Sequence, residues 1–390
     1  MDHPLPAEQT ELQDRIVHFV VDELGPLATG VDPESVPAAV RKEVAARSEA
    51  AGLRRLAVPV EDGGLGAGPL SLAAAREALA LTGNPLAGMV LGSGPGLMRL
   101  ANNERQRAAL YEPVLRGERM TAFGFTEPTG AERTKAVPTT LDDGSLGYLV
   151  SGQKSFVTGG PVADWIIVMA NVPPSDDDPE GQPGGGALLV VDRDAPGVTM
   201  GDVNTTMDGS SHVPFTFDET PVPADRLLGE VGQGLPRAMG GIRAMRMGVA
   251  AKAVGWSRWT CAYTLTRIEA PHRSGTPLAE REQIQAMLAD MVADTMAAQS
   301  TMYRVATQLE ADPEAELTTE VAVAKMVATE SLHRTVDKAI QIYGGLALAR
   351  GNPLERLYRV ARTLRIAEGT TEILKLTVAK DIRERGVEGL

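Results

Sequence analysis

The chain has 390 residues, 43% of them hydrophobic and 23% charged, which is enough for a substantial core spread over two or three domains. A net charge of −13 argues against nucleic acid as a partner and favours a soluble, self-repelling surface. The single cysteine, Cys261, excludes an intrachain disulfide, disfavours a thiolate zinc site and reads as a buried, inert thiol.

Met1 to Leu24 is acidic and lacks the basic-then-apolar order of a signal peptide, and no apolar run approaches bilayer length. A cytoplasmic chain without a membrane span is therefore expected. Residues 1–120 read as helical. Leu12, Ile16, Phe19, Val20 and Leu24 recur at helical spacing, and a second helix over about Val36–Ala51 ends at Gly52. Leu56 to Gly66 is a glycine-rich loop whose spacing does not fit a dinucleotide fingerprint, and Gly92 to Gly96 is a break between helices.

Near residue 120 the period changes from helical to strand-like. Thr121–Thr126 is one strand. Asp142–Ser145 is the turn of a hairpin that leads into Tyr148–Val157. Trp165–Ala170 and Ala187–Val191 are short apolar strands, and Val213, Phe215 and Phe217 share one buried face. Pro173–Gly186, rich in Pro, Gly and Asp, is expected to be a mobile surface loop. Helices return at Gly234, where Leu235, Ala238, Met239, Ile242, Met245 and Val249 form one apolar stripe. Further helices are predicted over Leu278–Leu309, Glu320–Tyr343 and Thr371–Arg385, with Trp256, Trp259 and Tyr263 in the core. Helices, a β block and helices again predict domains at 1–120, 121–232 and 233–390.

No GxxxxGK[ST], HExxH or GxSxG motif is present, and the five histidines show no paired metal spacing, so no metal site is assigned. The stretch that invites chemistry is Ile366–Glu372. One carboxylate, Glu368, precedes Gly369, and Thr370 or Thr371 can cap the helix that follows. Free N–H groups and the helix dipole at that start can also hold an anion. Taken alone, these residues read as readily as a surface loop with a capped helix.

The segments around it decide between the two readings. Gln341-Ile-Tyr-Gly-Gly345, Pro353-Leu-Glu-Arg-Leu-Tyr-Arg359 and Glu368-Gly-Thr-Thr-Glu372 together resemble the C-terminal signature of the acyl-CoA dehydrogenase family. The resemblance extends over nearly the whole chain, through Pro59–Gly66, Phe123–Ala131, Gly152–Gly160 and Leu227–Gly234. It implies an α+β fold with an N-terminal helical domain, a central small β-barrel or sandwich domain and a C-terminal four-helix bundle.

The resemblance also implies FAD as cofactor and α,β-desaturation of an acyl-CoA, with Glu368 as the base. Phe123, Phe125, Thr126, Ala131, Phe156 and Thr158 would line the flavin, and Thr370 and Glu372 would hold it. Arg273, Gln341, Gly344 and Gly345 would reach the FAD of a neighbouring subunit. Glu132, Arg246 and Gly369 would lie at the substrate. An electron-transferring flavoprotein, a homodimer or dimer of dimers (a homotetramer), and a place in fatty acid metabolism are implied in the same way.

Three positions depart from the family pattern. Glu132 replaces a serine, Pro271 replaces an arginine for which Arg273 is the nearest substitute, and Gly159 stands where the family has asparagine. A half-site subunit of a hetero-oligomer, and a flavoenzyme acting on a carrier-protein-bound acyl thioester, therefore stay as alternatives.

Overall fold

The structure, a computed structural model, describes residues 5–92, 94–174, 184–313 and 315–388. In chain order, α1 (Ala7–His18), α2 (Gly25–Ala28), α3 (Ala38–Ala50) and α4 (Pro69–Leu81) come first, followed by the short α5 (Glu104–Gln106) and α6 (Glu112–Leu115). The strands are β1 (Thr121–Gly124), β2 (Lys135–Thr140), β3 (Leu146–Thr158), β4 (Trp165–Val172), β5 (Gly185–Asp192), β6 (Val198–Met200), β7 (Asn204–Thr205), β8 (Ser211–Pro223) and β9 (Leu227–Leu228). The chain then runs through α7 (Gly234–Glu269), α8 (Glu282–Ala311), α9 (Thr318–Tyr343), α10 (Pro353–Leu364) and α11 (Thr371–Arg385). The expected α+β order of helices, central β sheet and helices is borne out.

Two compact units result: Met1–Gly92 with Arg243–Leu390, and Ser93–Ile242. In the first, small residues let helices approach closely. Ala250, Ala251, Ala253 and Val254 of α7 are buried with Ala298, Met302 and Ala306 of α8 and Ala324, Ala328 and Leu332 of α9. Gly255 is needed where α7 meets α4, because a Cβ there would run into the Glu77 carbonyl. Glu77 itself is fully buried. Its carboxylate accepts from Arg258 Nη1 (2.8 Å), Gln299 Nε2 (2.6 Å), Gln13 Nε2 (3.3 Å) and the Tyr303 hydroxyl, tying α1, α4, α7 and α8 together.

The second unit is a sheet of order β6-β8-β3-β2-β4-β5-β9, with β1 parallel to β4 and β7 beside β8. The β2–β3 hairpin turns at the predicted site, with Thr140 opposite Leu146. One face buries Val150, Val157, Val168, Leu189, Phe215 and Phe217. The other packs Trp165, Ile167 and Leu188 against Met98, Leu110 and Tyr111.

The structure corrects some boundaries. The helix predicted from Leu278 begins at Glu282, because Leu278–Glu280 forms a separate 3-10 turn behind Pro277. In the predicted stripe on α7, Ala238, Ile242 and Val249 are buried, whereas Leu235, Met239 and Met245 on its margins are exposed. A helix buries an arc, and the margins of a wide arc need a partner of their own. Most of the loop expected over Pro173–Gly186 lies outside the described residues, and β5 already starts at Gly185. Trp256, Trp259 and Tyr263 are partly buried. Trp259, Tyr263 and Tyr343 form a continuous stack with centroids 4.8 and 5.1 Å apart.

Candidate active site

The loop between α10 and α11 is held in a conformation it would not choose alone. Glu368 has φ 57° and Gly369 φ 99°. Left-handed backbone at a glutamate is strained and persists only where its surroundings fix it. Here they do. Arg246 Nε donates to Glu368 O (2.9 Å), and Lys325 Nζ donates to Gly369 O (2.9 Å). Downstream, Thr370 caps α11 by accepting from Ile373 N (3.3 Å). The buried Thr371 hydroxyl and Arg365 Nε both donate to Glu330 Oε1, each at 2.8 Å.

This clamp leaves the Glu368 side chain half-buried. Burial pushes its carboxyl above the ordinary range, while Arg246, Lys325 and Lys252 pull it back. The Glu368 N–H has no acceptor among the described residues. Fully buried Lys325 is pushed down to about 8, mainly by burial and then by the like charge of Arg246. A carboxylate that is partly desolvated, fixed in direction and beside a free N–H can take a proton from an acidic carbon.

On the sheet unit a second group forms around a bulge. The β3–β8 register slips between Lys154 and Val157, and Phe156 (φ 53°) turns its ring outward, 68% exposed. The end of β1 is fastened beside it. Ser155 N donates to Thr126 O (2.8 Å), and buried Lys154 Nζ reaches Phe125 O (3.2 Å) and Glu127 Oε1 (2.9 Å). The Thr126 and Thr158 hydroxyls are exposed near this ring, with Thr158 Oγ1 3.0 Å from His212 Nδ1. An outward aromatic ring flanked by hydroxyls fits a flat heterocycle with polar edges.

The remaining expected residues fall as follows. Phe123 and Phe125 are half-buried, their rings 5.6 Å apart, and Ala131 is half-buried. Glu132 points to solvent and pairs with Lys135 (3.2 Å). Glu372 is exposed in the first turn of α11. Arg273, Gln341, Gly344 and Gly345 are exposed. Gln341 lies about 24 Å along α9 from Lys325, so one protomer does not bring it to Glu368.

Sequence reasoning missed Lys325, Lys154, Glu127 and His212. Lys325 had a signal, as a charge within the apolar α9 series Val321, Ala328, Leu332 and Val336. Lys154 and Glu127 lay inside recognised motifs but carried no assigned role.

Fold and residues define an FAD-dependent oxidoreductase. The chain belongs to the acyl-CoA dehydrogenase family: the profiles described as Acyl-CoA dehydrogenase N-terminal, middle and C-terminal domain match residues 6–118, 122–220 and 232–383. It is 32% identical to an acryloyl-CoA reductase (NADH) of Anaerotignum propionicum, over 99% of this chain and 97% of the relative. It is 30% identical to the human mitochondrial short-chain specific acyl-CoA dehydrogenase, over 96% and 90%. The solved structure of an acyl-CoA dehydrogenase complexed with FAD from Bacillus anthracis matches with a TM-score of 0.82 at 25% identity, covering all of this chain and 69% of that one. Among the described residues no helix is long and apolar enough to cross a membrane.

Proposed function

We propose that this chain catalyses α,β-dehydrogenation of an acyl-CoA thioester, with Glu368 removing the α-proton. Bound FAD supplies the acceptor for the β-hydride. The observation that carries the reading is the clamp on Glu368: two cations fix its backbone oxygen and that of Gly369, while burial raises the basicity of its side chain. The α-hydrogen of a thioester is a weak acid, so its carbonyl must be polarised as the proton leaves. The free Glu368 N–H is the donor for that oxygen, and Arg246 orients it by holding the same residue's carbonyl.

On the sheet unit, Phe123, Phe125, Thr126, Ala131, Phe156 and Thr158 are assigned to the flavin, with Lys154 and Glu127 keeping the strand ends in place. On the helical unit, Thr370 and Glu372 are assigned to FAD. Arg273, Gln341, Gly344 and Gly345 are assigned to the FAD of a second copy, in keeping with the separation of Gln341 from Lys325 along α9. Gly369 and Glu132 are retained as substrate-side positions. A homotetramer, a cytoplasmic location, fatty acid metabolism and reoxidation by an electron-transferring flavoprotein complete the reading.

The test is the visible spectrum of purified protein during anaerobic addition of acyl-CoAs. Wild type should lose its flavin band and Glu368→Gln should not. Protein that stays colourless with added FAD refutes the reading and favours a half-site subunit. The acryloyl-CoA reductase relative supports one second reading, in which Glu368 returns a proton to the α-carbon during reduction of an enoyl-CoA. Reoxidation of the reduced flavin by an enoyl-CoA, faster than any bleaching by its saturated counterpart, would favour it.

A further inference from the structure

Two cations in the helical unit lack a hydrogen-bonded or ion-paired acid. Arg76 on α4 and Lys252 on α7 are half-buried, and neither makes a hydrogen bond or ion pair with any described residue. A glycine brings them together. A Cβ on Gly248 would lie 3.2 Å from the Arg76 guanidinium carbon, so that group rests against α7 where the helix carries no side chain. Lys252 follows one turn later on the same face. Burial, reinforced by Arg76, holds the Lys252 ammonium below its usual value.

Nearby acids do not resolve this. Glu77, next to Arg76 in sequence, is engaged by Arg258, Gln299, Tyr303 and Gln13. Glu330 is engaged by Arg365 and Thr371. Glu368 is the acid that acts on Lys252, but it also faces Arg246 and Lys325. Glu368 is thus shared among three cations, and burial is the only influence on Arg76. Holding an unpaired charge away from water costs several kcal/mol. A like-charged pair is retained at such a position when a ligand brings the anion.

The location indicates what that ligand is. Lys252 lies six residues from Arg246, about 9 Å along the helix. Lys252 is also within electrostatic reach of Glu368, so an anion held there can belong to a molecule whose reacting end lies at Glu368. Resting on the dehydrogenase reading above, we propose that Arg76 and Lys252 form a subsite for a carboxylate at the distal end of the acyl group. The substrate is then the monothioester of a dicarboxylic acid rather than a plain fatty acyl-CoA.

Adipoyl-CoA and hexanoyl-CoA share a carbon count and differ by that carboxylate. With FAD-loaded enzyme, kcat/KM for anaerobic bleaching should favour adipoyl-CoA by about tenfold or more. The preference should collapse to about one in Lys252→Met and persist in Lys252→Arg. A wild-type ratio near one, or a preference untouched by Lys252→Met, overturns the subsite while bleaching by hexanoyl-CoA leaves the dehydrogenase reading intact. If neither thioester bleaches the flavin, that reading fails and thermal melting decides the subsite separately. Without ligand, Lys252→Met should melt higher than wild type, because an orphan charge is gone. Free adipate should raise the melting temperature of wild type and not of the variant. A lower melting point for Lys252→Met, or no response of wild type to adipate, refutes the subsite.

Discussion

Lys325 offers the sharpest test of how the Glu368 loop is held. Its ammonium is fully buried, donates to Gly369 O and is pushed from 10.5 down to about 8. At about 1.4 kcal/mol per unit, keeping it charged in the fold costs roughly 3 kcal/mol near neutral pH. The charged hydrogen bond returns about 1.5–3 kcal/mol. The Lys325→Met variant, which loses both, should therefore lie within about 2 kcal/mol of wild type at pH 7.

The pH dependence is more telling. Below pH 8 the lysine is charged in both folded and unfolded states, and the penalty is constant. Between pH 8 and 10.5 the folded state releases its proton first, so the unfolded state holds more protons and stability rises with pH. Wild type should thus gain up to about 3 kcal/mol on the variant across that window, read from urea melts at stepped pH. Activity should move independently. Releasing Gly369 O frees the Glu368 loop, and a displacement of about 1 Å lowers kcat by roughly a hundredfold. Parallel stability curves for the two proteins from pH 8 to 10.5 would refute a desolvated Lys325.

Glu368→Gln should abolish bleaching and also stabilise the fold in a pH-dependent way. The folded carboxyl is raised, so its penalty is absent below the ordinary value of 4.5 and grows as pH rises through the folded one. The variant should match wild type at pH 4 and melt higher at pH 8, and an equal melting point at pH 8 counts against burial of the charge. Gly369→Ala places a Cβ at φ 99° and 3.3 Å from Arg246 Nη2, so a loss of about 1–3 kcal/mol in denaturant melts is expected together with slower turnover. Glu77→Ala orphans Arg258, Gln299, Tyr303 and Gln13 and should cost about 3–5 kcal/mol, whereas a loss under about 1 kcal/mol would mean the hub repacks.

Much of this protein was legible in the sequence because the signals were local. Alternation in Val213, Phe215 and Phe217 set a strand face, the residues around Asp142–Ser145 set a hairpin, and Thr370 capped α11 as read. The run of motifs in order gave the family, and with it the cofactor and the position of Glu368. What sequence could not give was apposition. Lys325 is 44 residues from Gly369, Arg246 is 122 from Glu368, and Lys154 is 27 from Glu127, yet each pair is a single hydrogen bond. The like-charged pair of Arg76 and Lys252 is likewise invisible until α4 lies against the bare turn at Gly248. Periodicity reports which side of an element is buried, because that depends on backbone geometry alone. The charge state and strain of a side chain depend on what stands a few ångströms away and on how much water is excluded, and only the packed helices decide that.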